Sequence, residues 1–390
     1  MKKSLKPSEY KFNYLYPDLM DQIDPEDPLL RLASRFPWSK IEDRFFLLYS
    51  PKGRNPKPIR LMTGLILLKQ LEDLSDEKVV LEWKRNPYFQ AFCGEKEFVK
   101  TLPCDPSDLV YFRKRIGKEG LEFIFQLSVE IHGNKALEEE VIVDTTVQEK
   151  NITYPTDGKL CIKIINRLWK IGNLLEIKRR RSYAKEVKAL RIQLRFFKHP
   201  KRFKNAKKGL TRLRTIAKTL LREIESKVSK KKREPFQERL ELYTKVLNQK
   251  KGDKNKIYSL DEPHVYCISK GKDHRKYEYG TKVSVACTKE SQVIVGVINH
   301  ETNQYDGHTL EEVIEHVEHT RNLSPKEMIV DRGYRGKKQV RGVKISLPGV
   351  ALKRDSEREK ELKRKKFRRR AAIEPLIGHL KSDFRLGSRP

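Results

Sequence analysis

The sequence predicts a mixed α/β (α+β) fold: a core of strands and helices, interrupted by a long helical insertion after its first strand and preceded by a helical N-terminal region. Three observations carry this reading. The runs Val141-Ile142-Val143 and Met328-Ile329-Val330 are short, apolar and each closed by an aspartate, as buried strands often are. Residues 281–287 alternate and, like 293–298, are rich in β-branched residues, with Glu290-Ser291 as a turn between them, and read as a hairpin. Residues 159–256, in contrast, show helical spacing and almost no strand signal.

The elements follow in order. In the N-terminal region, 1–136, an amphipathic helix is expected over Ile59–Leu71, closed on its left by the turn-rich Pro51-Lys52-Gly53-Arg54-Asn55-Pro56. A second helix starts at Asp105, which can cap, with Pro106 suited to the first helical position. Leu109, Phe112 and Ile116 share a face until Gly117 stops the turn. Arg113, Lys114 and Arg115 form its outer face, either docking DNA or merely meeting solvent. The strand ending at Asp144 and the turn after it fill 137–158. In the insertion, 159–256, Leu210, Leu213, Ile216, Leu220 and Ile224 recur at spacings of three and four. The basic clusters Lys178-Arg179-Arg180-Arg181, 201–208 and Lys230-Lys231-Lys232-Arg233 coat what reads as a helical hairpin or small bundle. Phe196, Phe197 and Phe203 interleave with that charge, facing DNA or a neighbouring helix. In 257–390 the hairpin is followed by a helix capped by Thr309, with Leu310, Val313, Ile314 and Val317 on one face, then by strands at 328–331 and 343–347 and a last helix. With the insertion set aside, this is the element order of the ribonuclease H-like fold.

Charge narrows the partner. Among 390 residues, 85 Lys and Arg oppose 53 Asp and Glu, for a formal charge of +32, the sign that a phosphate backbone attracts. A ribosomal or packaging protein would be equally basic, so charge says nothing about chemistry. At 390 residues the chain is long enough for two or three domains, and an apolar content of 37% with 16 Phe and 15 Tyr is enough to build real cores. The five cysteines are scattered, without zinc-ligand spacing or a disulfide framework. The basic start lacks a following apolar segment, and no run approaches a membrane span, so the expectation is a soluble, cytoplasmic, nucleoid-associated protein with no membrane partner.

Three acids stand where a metal-dependent nuclease would need them: Asp144 and Asp331 at strand ends, and Glu374 on the last helix. Hard divalent cations prefer such oxygen ligands, and three clustered anions repel one another unless cations bind. Taken singly, each acid is as readily a turn or cap residue. Phe367, Arg370 and Lys381 lie at −7, −4 and +7 from Glu374, within roughly 40° of one helical meridian, which would flank the acid with two cations for phosphates and a ring to stack on a displaced base. Pro375 either kinks that helix or marks the first turn of a new one.

The spacing Phe367, Arg370, Glu374, Lys381 resembles a motif of the DDE transposases of bacterial insertion sequences, in the insertion-sequence-four and insertion-sequence-five group, with Phe where those enzymes carry Tyr. The contexts Val143-Asp144-Thr145-Thr146-Val147 and Asp331-Arg332-Gly333-Tyr334 are similar to the family's first and second acidic motifs, and the likeness covers nearly the whole chain. The resemblance implies Asp144, Asp331 and Glu374 as catalytic residues and ligands of two Mg²⁺ ions, with Mn²⁺ able to substitute. It further implies Phe367, Arg370, Lys381, Tyr334 and Arg332 as DNA contacts, duplex element ends and target DNA as substrates, and a homodimer in the DNA complex. The alternative is a decayed or truncated relative that only binds DNA as a repressor, suggested by the Tyr-to-Phe change and by the stop at Gly387-Ser388-Arg389-Pro390. A ribonuclease H-like nuclease cutting junctions or hybrids is a third reading. His308 and Asp157 stand near these motifs but read equally as cap and turn residues.

Overall fold

The computed structural model describes residues 18–386 except 51–54, 180, 251, 254, 270–276, 350–353 and 385, and leaves aside the side chain of residue 366. The first ten residues, the turn at 51–54, Arg180 of the first basic cluster and the terminus 387–390 therefore lie outside the described residues. The chain divides into two compact units. One comprises residues up to 146 with 283–298 and 304–386, the other 147–282 with 299–303.

The seven strands found among the described residues are β1 (Glu140–Glu149), β2 (Tyr266–Ser269), β3 (Tyr277–Thr288), β4 (Ile294–His300), β5 (Glu327–Ile329), β6 (Gln339–Val340) and β7 (Val343–Ser346). They form a mixed sheet in the order β2-β3-β1-β5-β7-β6, with β4 paired to β3. β5 runs parallel to both β1 and β7. β1 and β3 are antiparallel, since Lys289 donates to Glu140 at one end and Lys150 to Tyr279 at the other. Val141, Ile142 and Val143 are fully buried because β1 is covered on both faces, which is why a central strand reads as an unbroken apolar run.

The two faces bury different side chains, as the two-residue pleat requires. Val141, Val143, Met328 and Val330 meet Leu310, Val313, Ile314 and Val317 of the helix Asp306–Arg321, with Val129 and Phe125 of the helix Pro106–Glu130 beside them. Ile142 and Ile329, pointing the other way, meet Ile373 and Ile377 of the helix Ile373–Ser382. Among the described residues no helix is long and apolar enough to cross a membrane.

In the N-terminal region the helices Pro28–Arg35, Trp38–Phe46, Ile59–Leu71, Asp76–Arg85, Pro87–Phe92 and Pro106–Glu130 enclose a core that includes Trp38, Phe45, Leu65, Leu68, Trp83, Phe92 and Phe112. Asp27, Ser75, Asn86 and Asp105 each accept a backbone N–H at a helix start. Ile59–Leu71 has the bounds expected but is buried nearly all round rather than amphipathic. Gly117 stops the first turn-run as expected: it takes φ 60°, ψ −163°, and past this kink a second helical stretch runs on to Glu130. Of the supposed basic face, Arg113 forks onto Asp76 at 2.9 and 2.5 Å and Arg115 lies 4.4 Å over the Tyr49 ring.

In the other unit the helices Asp157–Leu174, Ala184–Gln193, Phe203–Lys227 and Gln237–Asn248 surround Leu160, Ile164, Leu168, Leu213, Ile216, Leu220, Ile224 and Tyr243. Asp157-Gly158 is no turn: Thr156 caps, Asp157 opens the helix, and its carboxylate binds Arg214 at 2.8 Å and Lys256 at 3.0 Å. Phe197 and Phe203 pack edge to face at 5.5 Å, and Arg202 stacks 4.6 Å over Phe196.

Candidate active site

The register of the central ladder positions the first two acids. Glu140, Val141 and Ile142 stand opposite Glu327, Met328 and Ile329, and continuing that register two residues brings Asp144 opposite Asp331. Adjacent strands lie about 4.8 Å apart. Asp144 keeps the pleat direction of Ile142, toward the face on which the helix Ile373–Ser382 sits and from which Arg370 reaches it, whereas Asp331 lies beyond the end of β5 and turns back onto the Gly333 amide. That helix is held by its own apolar side chains: Ile373, immediately before Glu374, is fully buried among Ile142, Ile329 and Cys287.

The approach to this helix is broken. The helix Glu357–Arg370 ends, the chain tightens through i to i−3 bonds from Ala371, Ala372 and Glu374, and a new helix starts at Ile373 with Pro375 in its first turn, where a missing N–H costs little. Arg369 fastens the end of the first helix by donating to the backbone carbonyls of Lys289 (2.9 Å) and Glu290 in the β3–β4 turn.

Arg370 links the acids. Its guanidinium is 3.7 Å from Asp144 Oδ2 and 3.4 Å from Glu374 Oε1. Asp144 also accepts the Thr145 amide at 2.7 Å, and Asp331 accepts the Gly333 amide at 2.8 Å, capping the single turn Arg332–Tyr334. Glu374 itself is 65% exposed. Among the described residues no three His, Cys, Asp or Glu side chains converge tightly enough to hold a metal ion. The oxygen-only donors nevertheless match a hard divalent cation, and Gly333 leaves open a space that a Cβ would fill, 2.9 Å from Asp331 Oδ1 and 3.2 Å from Asp306 Oδ2. A guanidinium supplies the countercharge between Asp144 and Glu374.

The remaining expected residues scatter. Lys381 is half-buried in the last turn of the Glu374 helix, two turns on from the acid, and Arg332 is exposed. Phe367 is partly buried against the cluster of Ile142, Ile329 and Ile373, where it anchors the helix. Tyr334 corrects the sequence reading: it is fully buried, so it offers no surface to DNA. The turn capped by Asp331 folds its ring inward, and burial, reinforced by Asp306 and Asp144, pushes its hydroxyl well above the ordinary range. His308 stands edge to face with Tyr305 at 5.6 Å. The helix expected to begin at Thr309 begins at Asp306, and Thr309 Oγ1 donates back to the Asp306 carbonyl. Asp306 was missed at the sequence level. Its carboxylate accepts the Thr145 hydroxyl at 3.1 Å, beside the first acid.

Residues 250–390 match the family described as transposase DDE domain, and residues 17–115 match a transposase domain (DUF772). An uncharacterized protein, ORF8 in the nfe locus of Rhizobium meliloti, is 41% identical over 204 residues, 51% of this chain and 98% of that protein. The chain belongs to the DDE transposases. No solved structure matches. In this transposase Asp331, Arg370 and Glu374 lie inside the matched DDE segment, whereas Asp144 falls between the two matches and meets the DDE segment through the β1–β5 ladder and the Arg370 guanidinium.

Proposed function

We propose that this transposase binds the duplex ends of an insertion sequence as a homodimer and cuts and transfers DNA strands, with Asp144, Asp331 and Glu374 holding two Mg²⁺ ions, or Mn²⁺ in their place. This reading is supported most by the parallel β1–β5 register, which ends two residues short of Asp144 and Asp331, and by Ile373, which seats the helix of Glu374 against Ile142 and Ile329. Bound divalent ions would supply Lewis acidity and a water nucleophile at neutral pH. The chain's own residues set the geometry. β1 and β5 fix two carboxylates by backbone hydrogen bonds, and Arg370 holds Glu374 toward Asp144 and offers a forked donor to a phosphate. Lys381 and the exposed Arg332 add positive charge to the segments that carry Glu374 and Asp331.

The reaction is hydrolysis of a phosphodiester at the element end, which frees a 3′-hydroxyl. That hydroxyl attacks a phosphodiester of the target, displacing a target 3′-oxygen as the new ester bond forms. Purified protein incubated with labelled element ends and Mg²⁺ tests the reading. Cleavage by the wild type that is lost in Asp331→Ala, with end binding retained, supports it. End binding without cleavage under any divalent metal would instead leave a DNA-binding repressor, and cutting of junctions or hybrids without regard to an end sequence would leave a nuclease.

A further inference from the structure

We propose that the outer face of the helix Phe203–Lys227 is a docking surface for the phosphate backbone of duplex DNA. The proposal rests on duplex DNA being the partner, as read above, and not on the metal-binding role of the three acids.

Lys204, Lys208, Thr211, Thr215, Lys218 and Arg222 follow one another at spacings of four and three. At about 100° per residue they fall within about 40° of one line along the helix, and at about 1.5 Å per residue that line is about 27 Å long, most of a turn of duplex. Leu213, Ile216, Leu220 and Ile224 are buried on the opposite side, so the stripe looks outward. All six stripe residues are exposed except the half-buried Lys218. Thr211 and Thr215 donate their hydroxyls back to the carbonyls of Lys207 and Thr211 at 3.2 and 3.1 Å, and these short side chains leave room for a strand to lie between the cations.

The charges on this stripe are left over from the fold. Elsewhere in the same unit Arg179 pairs with Glu223, Arg181 and Arg212 with Glu186, and Arg214 and Lys256 with Asp157. Among the described residues Lys204, Lys208 and Lys218 have no such partner, and Arg222 donates to the Lys218 carbonyl at 3.4 Å. The helix carries no Asp or Glu from Phe203 to Arg222. Like charges four residues apart repel, and Lys204 stands in the first turn, at the positive end of the helix, where a cation is disfavoured. A face that only meets water gains nothing from a single sign, and soluble surfaces intersperse both. A polyanion relieves both penalties.

A second observation lies at the start of the stripe. Phe197 and Phe203 pack on each other yet stay 37% and 42% exposed, and neither joins the core of the helices. Arg202 stacks over Phe196, and Lys198 and Lys201 are exposed beside them. Rings set among cations offer apolar contact to sugars and bases next to the phosphates that the cations hold.

The test is binding of labelled duplex by the full-length protein across a salt series, with element ends and an unrelated duplex of equal length as probes. The fourfold variant Lys204→Ala, Lys208→Ala, Lys218→Ala, Arg222→Ala should lower the log–log salt slope by about three to four and weaken both duplexes about equally, by at least about tenfold. Its thermal melting should stay near wild type. A control variant, Lys230→Ala, Lys231→Ala, Lys232→Ala, Arg239→Ala, removes the same charge from exposed positions off the stripe and should lower the slope by about one or less. If the fourfold variant does not fold, Lys204→Gln with Lys208→Gln should lower the slope by about two. An unchanged slope in a folded stripe variant, or an equal drop in the control, overturns this proposal and leaves the proposed function standing. Wild-type protein that holds neither duplex at low salt overturns both.

Discussion

Truncating Ile373 to alanine should unseat Glu374 without disturbing the rest of the sheet. Ile373 is fully buried in a small cluster, and the helix it belongs to has ten residues with one other buried apolar side chain, Ile377. Removing its outer carbons forfeits about 0.8 kcal/mol for each methylene-sized group and leaves a void, so the expected cost is about 2–5 kcal/mol. A helix this short has little stability of its own and will open locally before the sheet does. Each 1.4 kcal/mol is about tenfold in the opening equilibrium, so amide exchange across 373–382 should accelerate by at least about thirtyfold. The amides of 306–321, on the opposite face of the sheet, serve as the internal control and should keep their protection. End cleavage should fall in step while duplex binding holds. Unchanged protection across 373–382, or rapid exchange with undiminished cleavage, would refute the claim that this cluster positions the glutamate.

Other expectations concern the scaffold and the partner. Gly117→Ala should lower stability by about 1–3 kcal/mol in a thermal melt, since φ 60°, ψ −163° is backbone territory nearly closed to other residues and no neighbour crowds the site. Asp76→Asn should cost about 1–3 kcal/mol in denaturant unfolding, because it breaks the fork from Arg113 and the contact with Lys69. The hydrogen bonds from Arg113 hold the Asp76 carboxyl below its ordinary 3.8, so the stabilisation it gives is complete above that value and fades as pH falls through the lower folded-state value. A mildly acidic titration above pH 5 that already removes the difference between wild type and Asp76→Asn would contradict this. With a net charge of +32, affinity for duplex DNA should fall steeply and linearly in log–log form as salt rises, and a flat salt profile would argue against backbone contacts as the main source of binding.

What the sequence could reveal depended on where each signal was stored. The apolar runs before Asp144 and Asp331 were legible because β1 and β5 are central strands, but β1 continues past Asp144 to Glu149, where the sequence reads as a strand end and a turn. The bounds of Ile59–Leu71 were legible for the same reason, but its environment was not: a helix surrounded on nearly all sides has no polar face to reveal its orientation. The start of Asp306–Arg321 was misplaced because its cap, Tyr305, makes no side-chain capping bond, while Thr309 three residues on looks like a cap and bonds backward instead. Tyr334 was expected as a DNA contact, since nothing in Asp331-Arg332-Gly333-Tyr334 announces that a single turn folds the ring inward. Asp306 lies 161 residues from the threonine it binds, a pairing that only the folded chain brings about. The early caps at Asp27, Ser75 and Asn86 are ordinary local signals, and the helices they open follow from them.

The β1–β5 ladder has an evolutionary corollary. A handful of backbone hydrogen bonds joins β1 to β5 across an intervening stretch of nearly two hundred residues, and lengthening such a stretch twofold adds only about 0.6 kcal/mol of closure entropy. Of the intervening sequence, β3 and the helix Asp306–Arg321 are tied to the ladder, whereas the helices between Asp157 and Asn248, with a core of their own, can be exchanged, shortened or elaborated at little cost to the β1–β5 pairing.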